Sequence, residues 1–155
     1  GSIRGPFGVW LHAPGLADPA QGVGAFIRYG SKMRGNLREL VICTIGQHWQ
    51  ANYEWFAHAP IAIDEGVSAD AIALLKAGKT PAPLTDDEQL VYELATETVT
   101  SGRLSAASYG RGIDALGEEL MVELVGICGY YTLISFTLNV FDVPVPDGEE
   151  IPFGE

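Results

Sequence analysis

The stretch NLRELVICTIGQHWQANYEWFAHAPIAIDEG, residues 36–66, predicts two consecutive helices joined by a turn. Its first part carries apolar residues at helical spacing, and Asn36 followed by Glu39 resembles a capping box at a helix start. The polar run QHWQAN follows a glycine that weakens the first helix, so the chain can turn there. A second helix is expected over about residues 51–65, closed by Gly66 as the C′ residue.

Helix signals continue along the rest of the chain. A short helix is expected from Asp18-Pro19 through about Tyr29, and another from Ser68 to about Ala77. Further helices are expected to start at the capping box Thr85–Glu88 and at Ser105. The last helix is expected to run from about Gly117 to Phe141. No alternating strand pattern exceeds four residues. We therefore expect an all-α domain over residues 18–142. Gly- and Pro-rich sequence predicts irregular arms before and after it, at residues 1–17 and 143–155.

Composition narrows the classes of function. The 155 residues hold 9 Lys+Arg against 20 Asp+Glu, for a net charge of -11, which disfavours nucleic acid and anionic membrane as main partners. A hydrophobic fraction of 47% with 19% charged residues argues against intrinsic disorder. Cys43 and Cys128 lie in apolar stretches, which predicts buried thiols in a reducing compartment, and we expect a cytoplasmic protein.

The segment from Leu124 to Phe141 has no charged residue and is near the lower length limit of a membrane-spanning helix. It contains four polar residues, follows three glutamates and has no basic flank. These features favour the central helix of a bundle, covered by neighbouring helices or by another subunit.

Candidate functional residues concentrate between Glu39 and His58, whereas phosphate-loop, GxGxxG, GxSxG and CxxC motifs are absent from the sequence. Glu54 and His58 are four residues apart, so on a helix they share a face and can form a hydrogen bond. A carboxylate orients an imidazole and raises its pKa, which suits a general acid or base near neutral pH. An exposed ion pair is the alternative. The flanking aromatic residues Trp49, Tyr53, Trp55 and Phe56 are candidates for the wall of an apolar pocket.

Glu39 and His48 leave two questions open. On one straight helix Glu39 would lie roughly 22 Å from Glu54, so the two carboxylates meet only if the chain turns between them. The alternative for Glu39 is the capping role. His48 is interpreted as a pocket residue, a partner of a site residue or a polar residue at the helix junction. A zinc or iron(II) site using His48, Glu54 and His58 is chemically possible, but the spacing matches no helical metal motif.

The segment RELVICTIGQHWQANYEWFAHAPIAIDEG resembles the signature region of the carboxymuconolactone decarboxylase family, which is related to alkylhydroperoxidase D. The resemblance continues through GPFGVWLHAPGLAD, GVSADAIALLKAG, TDDEQLVYELATE and the C-terminal VELVGICGYYTLISFTLNVFDVPVPDG. It implies an alkylhydroperoxidase D-like helical bundle that assembles as a homotrimer or hexamer.

The peroxidase branch of this family is similar to a pattern of glutamate, about a dozen residues and then CxxCxxxH. Glu39 and His58 match the glutamate and the histidine, whereas Ala51 and Glu54 stand at the two cysteine positions. Without that pair of thiols there is no sulfenic acid or disulfide cycle, so thiol peroxidase activity is not expected.

The decarboxylase branch resembles a cofactor-free lyase that removes CO2 from a small lactone acid of aromatic catabolism. On the hypothesis that follows from the resemblance, His58 is the proton donor, Glu54 orients the His58 ring, and Glu39 is a second proton-transfer group. Tyr53 or Tyr131 is the candidate donor to the developing enolate, with structural packing as the alternative for each. A substrate carboxylate would be bound by an arginine, for which the candidates are Arg28, Arg34 and Arg38. The competing functions are a non-catalytic ligand-binding or scaffolding protein and a related isomerase or dehydratase.

Overall fold

The computed structural model describes residues 5–154, and this part of the chain is all-helical. Its seven α-helices are α1 (Pro6–Trp10), α2 (Pro14–Ala25), α3 (Gly35–His48), α4 (Asn52–Asp64), α5 (Ala69–Lys76), α6 (Asp86–Ser101) and α7 (Ala106–Val140), with a π-helical turn, Phe26–Gly30, after α2. The prediction of an all-α fold is confirmed. Residues 143–154 contain turns and no helix.

Helix α3 lies at the centre of the fold and packs against α4, α6 and α7. Leu40, Val41 and Ile45 on this helix are fully buried, which explains why its sequence is apolar on nearly every side. The chain turns directly after His48, where Gln50 adopts a positive φ of 51°, and α4 then runs back along α3. The predicted turn between the two helices is thus present, and it places the start of α4 beside the site-bearing face of α3.

The N-terminal region corrects the sequence analysis, because residues expected in an irregular arm form α1 and the start of α2. Pro6 and Pro14 occupy the first turns of these two helices, where the missing N–H of proline would have no helical partner. Pro19, predicted at the first helical position, lies inside α2 instead. The prediction that a proline begins this helix was therefore correct, but the proline is Pro14 and not Pro19.

Two predicted capping boxes have different outcomes. At Thr85 the box is confirmed, since the Thr85 and Glu88 side chains bond each other's backbone N–H groups. At Asn36 it is wrong. The Asn36 amide donates to Glu88 Oε1 at 2.9 Å, and the Glu39 side chain turns inward to a different partner. For both Asn36 and Glu39, a tertiary contact has thus replaced the predicted local one.

Helix α7 is interrupted at Gly117, where the last long helix was predicted to begin. This residue has φ 76° and ψ 171°, a backbone conformation that is open to glycine and strongly unfavourable for other residues. The Ser105 side chain caps the start of α7 by accepting a hydrogen bond from the backbone N–H of Ser108. The two predicted helices therefore exist as two segments that meet at this glycine.

A Gly117→Ala substitution is expected to lower the free energy of unfolding by about 1–3 kcal/mol, because a Cβ is disfavoured in that conformation. Urea unfolding monitored by circular dichroism would measure the loss. Gly110→Ala, in the same helix with open space around the new Cβ, is the matched control and should raise stability by up to about 1 kcal/mol. Equal effects of the two substitutions would contradict this account.

By length and composition α7 is a candidate membrane span. Its most apolar window has a mean hydropathy of 1.5, and 56% of that window is buried inside the structure. The buried face includes Leu124, Ile127 and Ile134, whereas Val122, Val125 and Phe136 are exposed on the other side. Within the described part of the single chain this helix is therefore covered on one face and exposed on the other.

Candidate active site

The turn between α3 and α4 brings together Glu39, Glu54 and His58, which we call the acid–base triad. The Nδ1 atom of His58 donates to Glu39 Oε2 at 2.6 Å, and its Nε2 atom lies 3.1 Å from Glu54 Oε1. All three side chains are buried, with residue exposures of 3%, 3% and 8% for Glu39, Glu54 and His58. Two carboxylates thus flank one imidazole in the interior of the protein.

Glu39 orients the imidazole, which is the role that the sequence analysis gave to Glu54. Its second oxygen, Oε1, accepts a bond from Arg38 Nε at 3.3 Å, so this carboxylate is held from two sides. The close contact between Glu54 and His58 lies outside hydrogen-bond geometry, and Glu54 Oε1 has no hydrogen-bond donor among residues 5–154. A buried carboxylate oxygen with an unused acceptor is suited to receive a proton or a ligand donor.

Burial and charge set the proton affinities of the triad. The pKa of Glu54 is raised to about 6, chiefly by burial; His58 and Arg28 lower it, and the nearby Glu39 charge raises it. For His58, burial lowers the pKa, but Glu54 and the hydrogen bond to Glu39 outweigh that effect and leave it raised. The imidazole therefore holds its proton more tightly than an ordinary histidine, while the Glu54 pKa is close enough to neutral pH for proton exchange.

A cavity of about 340 Å³ opens beside the triad. The polar and aromatic side chains on its wall are contributed by α1, α2, the π-helical turn, α4 and α7, and they are Phe7, Gln21, Arg28, Tyr29, Tyr53, Glu54, His58, Tyr130 and Tyr131. The volume suits a small molecule. Because Glu54 and His58 are on the wall and Glu39 is not, the first two face a ligand and the third supports them from behind.

Two of the residues considered for the pocket line this cavity, Tyr53 and Tyr131, whereas four do not: His48, Trp49, Trp55 and Phe56. The ring of Tyr131 packs edge-on against the His58 imidazole, with centroids 5.2 Å apart. Burial raises the pKa of Tyr131 well above its ordinary value, and the Glu54 charge adds to this, so its hydroxyl stays protonated and can donate a hydrogen bond. Tyr53 and Tyr131 thus line the same cavity as Glu54 and His58.

The assignment of Trp49 and Trp55 to the pocket is wrong. Trp55 follows Glu54 by one residue, so a rotation of about 100° per helical position turns it away from the cavity. It packs instead on Phe153 of the C-terminal segment, at a centroid distance of 5.2 Å. Trp49 fastens the end of α3 to α7 by donating from Nε1 to Thr132 Oγ1 at 3.2 Å.

His48 also lies outside the cavity of the triad. Its ring packs edge-on against Trp49 at 4.6 Å, and it lines a separate cavity of about 60 Å³. Of the three roles considered, this position fits a polar residue at the helix junction. Across residues 5–154, no group of three or more His, Cys, Asp or Glu side chains is arranged to hold a metal ion, so the proposed set with Glu54 and His58 does not form.

The three candidate arginines have different surroundings. Arg34 pairs with Asp87 on the surface, and Arg38 is engaged by Glu39. Arg28 lines the cavity. The sequence did not show which of the three arginines lines the cavity, because Arg28 does so from the π-helical turn, and that turn was not predicted. Tyr130 was not predicted as a cavity residue, and nothing in the sequence distinguishes it from the adjacent Tyr131.

The two cysteines are buried and free, as predicted. Burial raises the pKa of the Cys43 thiol well above its ordinary value and that of Cys128 to about 12. Both thiols therefore remain protonated at neutral pH and have little nucleophilic character.

No protein-family model matches the chain, and no curated protein sequence is significantly similar to it. Fold and site together define an all-helical protein with a buried carboxylate–imidazole–carboxylate triad at the wall of a small aromatic cavity. This arrangement can supply a proton, receive one and hold an unsaturated ligand between tyrosine rings.

Proposed function

We propose that this protein is a cofactor-free lyase, similar in reaction class to the carboxymuconolactone decarboxylases, that removes CO2 from a small unsaturated lactone acid. The observation that carries the proposal is the pairing of Glu54 and His58 on the cavity wall. One is a buried carboxylate with an unused acceptor oxygen and the other is an imidazole fixed from behind by Glu39. A carboxylate and an imidazole in this arrangement are suited to proton transfer.

In the proposed reaction the bond between the substrate carbon and its carboxylate breaks. The electron pair moves into the conjugated carbonyl to form an enolate, and CO2 leaves. Tyr131 donates a hydrogen bond to the enolate oxygen, and His58 gives its Nε2 proton to carbon. Glu54, with a pKa of about 6, then returns a proton from solvent to the neutral imidazole. Glu39 holds the ring in one orientation throughout.

The roles of the two carboxylates are therefore exchanged relative to the sequence-based hypothesis. Glu39 is the positioning residue, because it holds Nδ1 and does not line the cavity. Glu54 is the proton-transfer residue, because it faces the cavity and its acceptor is unused. The remainder of the proposal is that the chain self-associates as a homotrimer or hexamer in the cytoplasm. The exposed apolar residues of α7 support such an assembly.

The test is a screen of unsaturated lactone acids and keto acids for CO2 release. We expect at least one lactone acid to lose CO2 in the presence of the protein and to do so without added metal or cofactor. If no acid in the panel releases CO2, the decarboxylase proposal is wrong. Exchange of substrate C–H for deuterium in D2O without CO2 loss would instead indicate an isomerase-type reaction. Binding without either would indicate a ligand-binding protein.

A further inference from the structure

Arg28 is the one Lys or Arg side chain among residues 5–154 that lines the cavity of the acid–base triad. The ion pairs within that part of the chain do not include it. Its guanidinium instead lies 5.7 Å from the ring centroid of Tyr29. A cation that shares a cavity with two catalytic candidates and pairs with no carboxylate of its own is available to an anionic ligand.

The backbone around Arg28 is specialised. The residue sits in the middle of the π-helical turn, where the N–H of Ser31 donates to the carbonyl of Phe26 at 2.8 Å. Single π-helical turns are rare in proteins and are frequent at functional sites, because the extra residue re-aims the side chains of the turn. Here the turn is the element that contributes Arg28 and Tyr29 to the cavity wall.

The charge of Arg28 reaches the proton-transfer groups. It lowers the pKa of both Glu54 and His58, although burial is the largest influence on each. The wall of the same cavity also carries the rings of Tyr53, Tyr130 and Tyr131. A small, flat, unsaturated molecule in this cavity would therefore meet aromatic rings, the arginine and the imidazole together.

We propose that Arg28 binds a carboxylate that the substrate keeps through the reaction, and that Arg28 thereby selects the substrate and sets its direction in the cavity. This inference rests on the proposed function. The carboxylate that is lost cannot be the partner of Arg28, because an ion pair with it would stabilise the ground state and disappear as CO2 forms. The departing group therefore faces Glu54 and His58. The ion pair with Arg28 also explains how a protein of net charge -11 accepts an anionic substrate.

The test compares binding of a charged ligand and its neutral counterpart by isothermal titration calorimetry at pH 7. The probes are a five-membered unsaturated lactone with a carboxymethyl side chain and the methyl ester of the same compound. We expect the wild-type protein to bind the acid at least about tenfold more tightly than the ester. Arg28→Gln should weaken acid binding roughly ten- to hundredfold and ester binding less than about threefold. Arg28→Lys, which keeps the charge without the bidentate fork, should be intermediate.

Arg34→Gln is the matched control, since it removes the same charge from the surface pair with Asp87 outside the cavity. It should leave binding of both probes unchanged. Far-UV circular dichroism and Tm should match between the two glutamine variants, because Arg28 is exposed and contacts one exposed ring. The inference is overturned if the wild type does not prefer the acid. Equal weakening of acid and ester in Arg28→Gln, or no weakening of either, would also overturn it.

The outcome separates this inference from the proposed function, because binding is measured without turnover. If Arg28→Gln weakens binding of the acid and not of the ester while no acid releases CO2, the anchoring role stands and the decarboxylase proposal fails. If Arg28→Gln releases CO2 with an unchanged KM, the anchoring role is wrong and the decarboxylase proposal stands.

Discussion

A His58→Gln variant is expected to keep the helical fold and to lose at least about a hundredfold in kcat for CO2 release. Glutamine is close to histidine in size and can still donate to Glu39, but it does not carry a titratable proton. The same loss is expected for His58→Ala, although that variant also leaves Glu39 and Glu54 without their buried partner. Stopped assays of CO2 release and circular dichroism would measure activity and fold.

The matched control is His48→Gln. His48 is ten residues earlier, at the helix junction, and lines a cavity other than that of the triad, so its kcat should stay within about twofold of wild type. A folded His58→Gln protein with wild-type kcat would remove His58 from the mechanism. An equal loss in both variants would show that the effect is structural.

A Glu54→Gln variant is expected to be more stable than wild type at pH 8 and to be inactive. The folded-state pKa of Glu54 is about 6, above its ordinary value of 4.5, because the buried carboxylate resists ionisation. The unfolded chain therefore releases this proton first, and stability falls as pH rises from 4.5 to 6. At 1.36 kcal/mol for each pKa unit, the ionised carboxylate costs about 2 kcal/mol above that range, and the neutral amide avoids that cost.

His58 acts in the same direction. Its raised pKa means that its contribution to stability is complete below 6.5 and is lost as pH rises through the folded-state value. Urea unfolding at pH 4.5 and pH 8 would separate the two groups. The difference between Glu54→Gln and wild type should be small at pH 4.5 and should reach about 2 kcal/mol at pH 8.

Glu93→Gln is the control of opposite sign. Hydrogen bonds from Gln89 and Arg111 lower the pKa of Glu93, so its contribution is present above pH 4.5 and is lost on acidification. Removing this carboxylate should give no gain at pH 8. If Glu54→Gln were no more stable than wild type at pH 8, burial of the ionised carboxylate would not destabilise the folded protein.

Local signals allowed much of the fold to be predicted. The caps at Thr85 and Ser105 and the break at Gly117 depend on neighbouring residues and on one backbone conformation, so the sequence carries them directly. The turn after His48 was predictable because a polar run interrupts two apolar helical patterns. Helix α1 and the start of α2 were missed because their prolines were interpreted as signs of an irregular chain.

The site was predictable in its members but less so in their roles. Spacing alone placed Glu54 and His58 on one helix face, and a turn was enough to bring Glu39 near them. Which carboxylate takes which ring nitrogen depends on the rotation of α3 against α4, and that rotation is set by packing across the whole core. The partner of Trp55 was also out of reach of local patterns, because Phe153 lies in the distant C-terminal segment.

The turn at Gln50 has an evolutionary consequence. It folds Glu39, Glu54 and His58, which span twenty residues of sequence, into one hairpin that contains the whole acid–base triad. Arg28 and Tyr130, on the wall of the same cavity, lie outside this hairpin, in the π-helical turn and in α7. Mutation at Arg28 or Tyr130 can therefore alter the cavity wall while the hairpin stays the same, so related chains could bind different ligands beside the same triad.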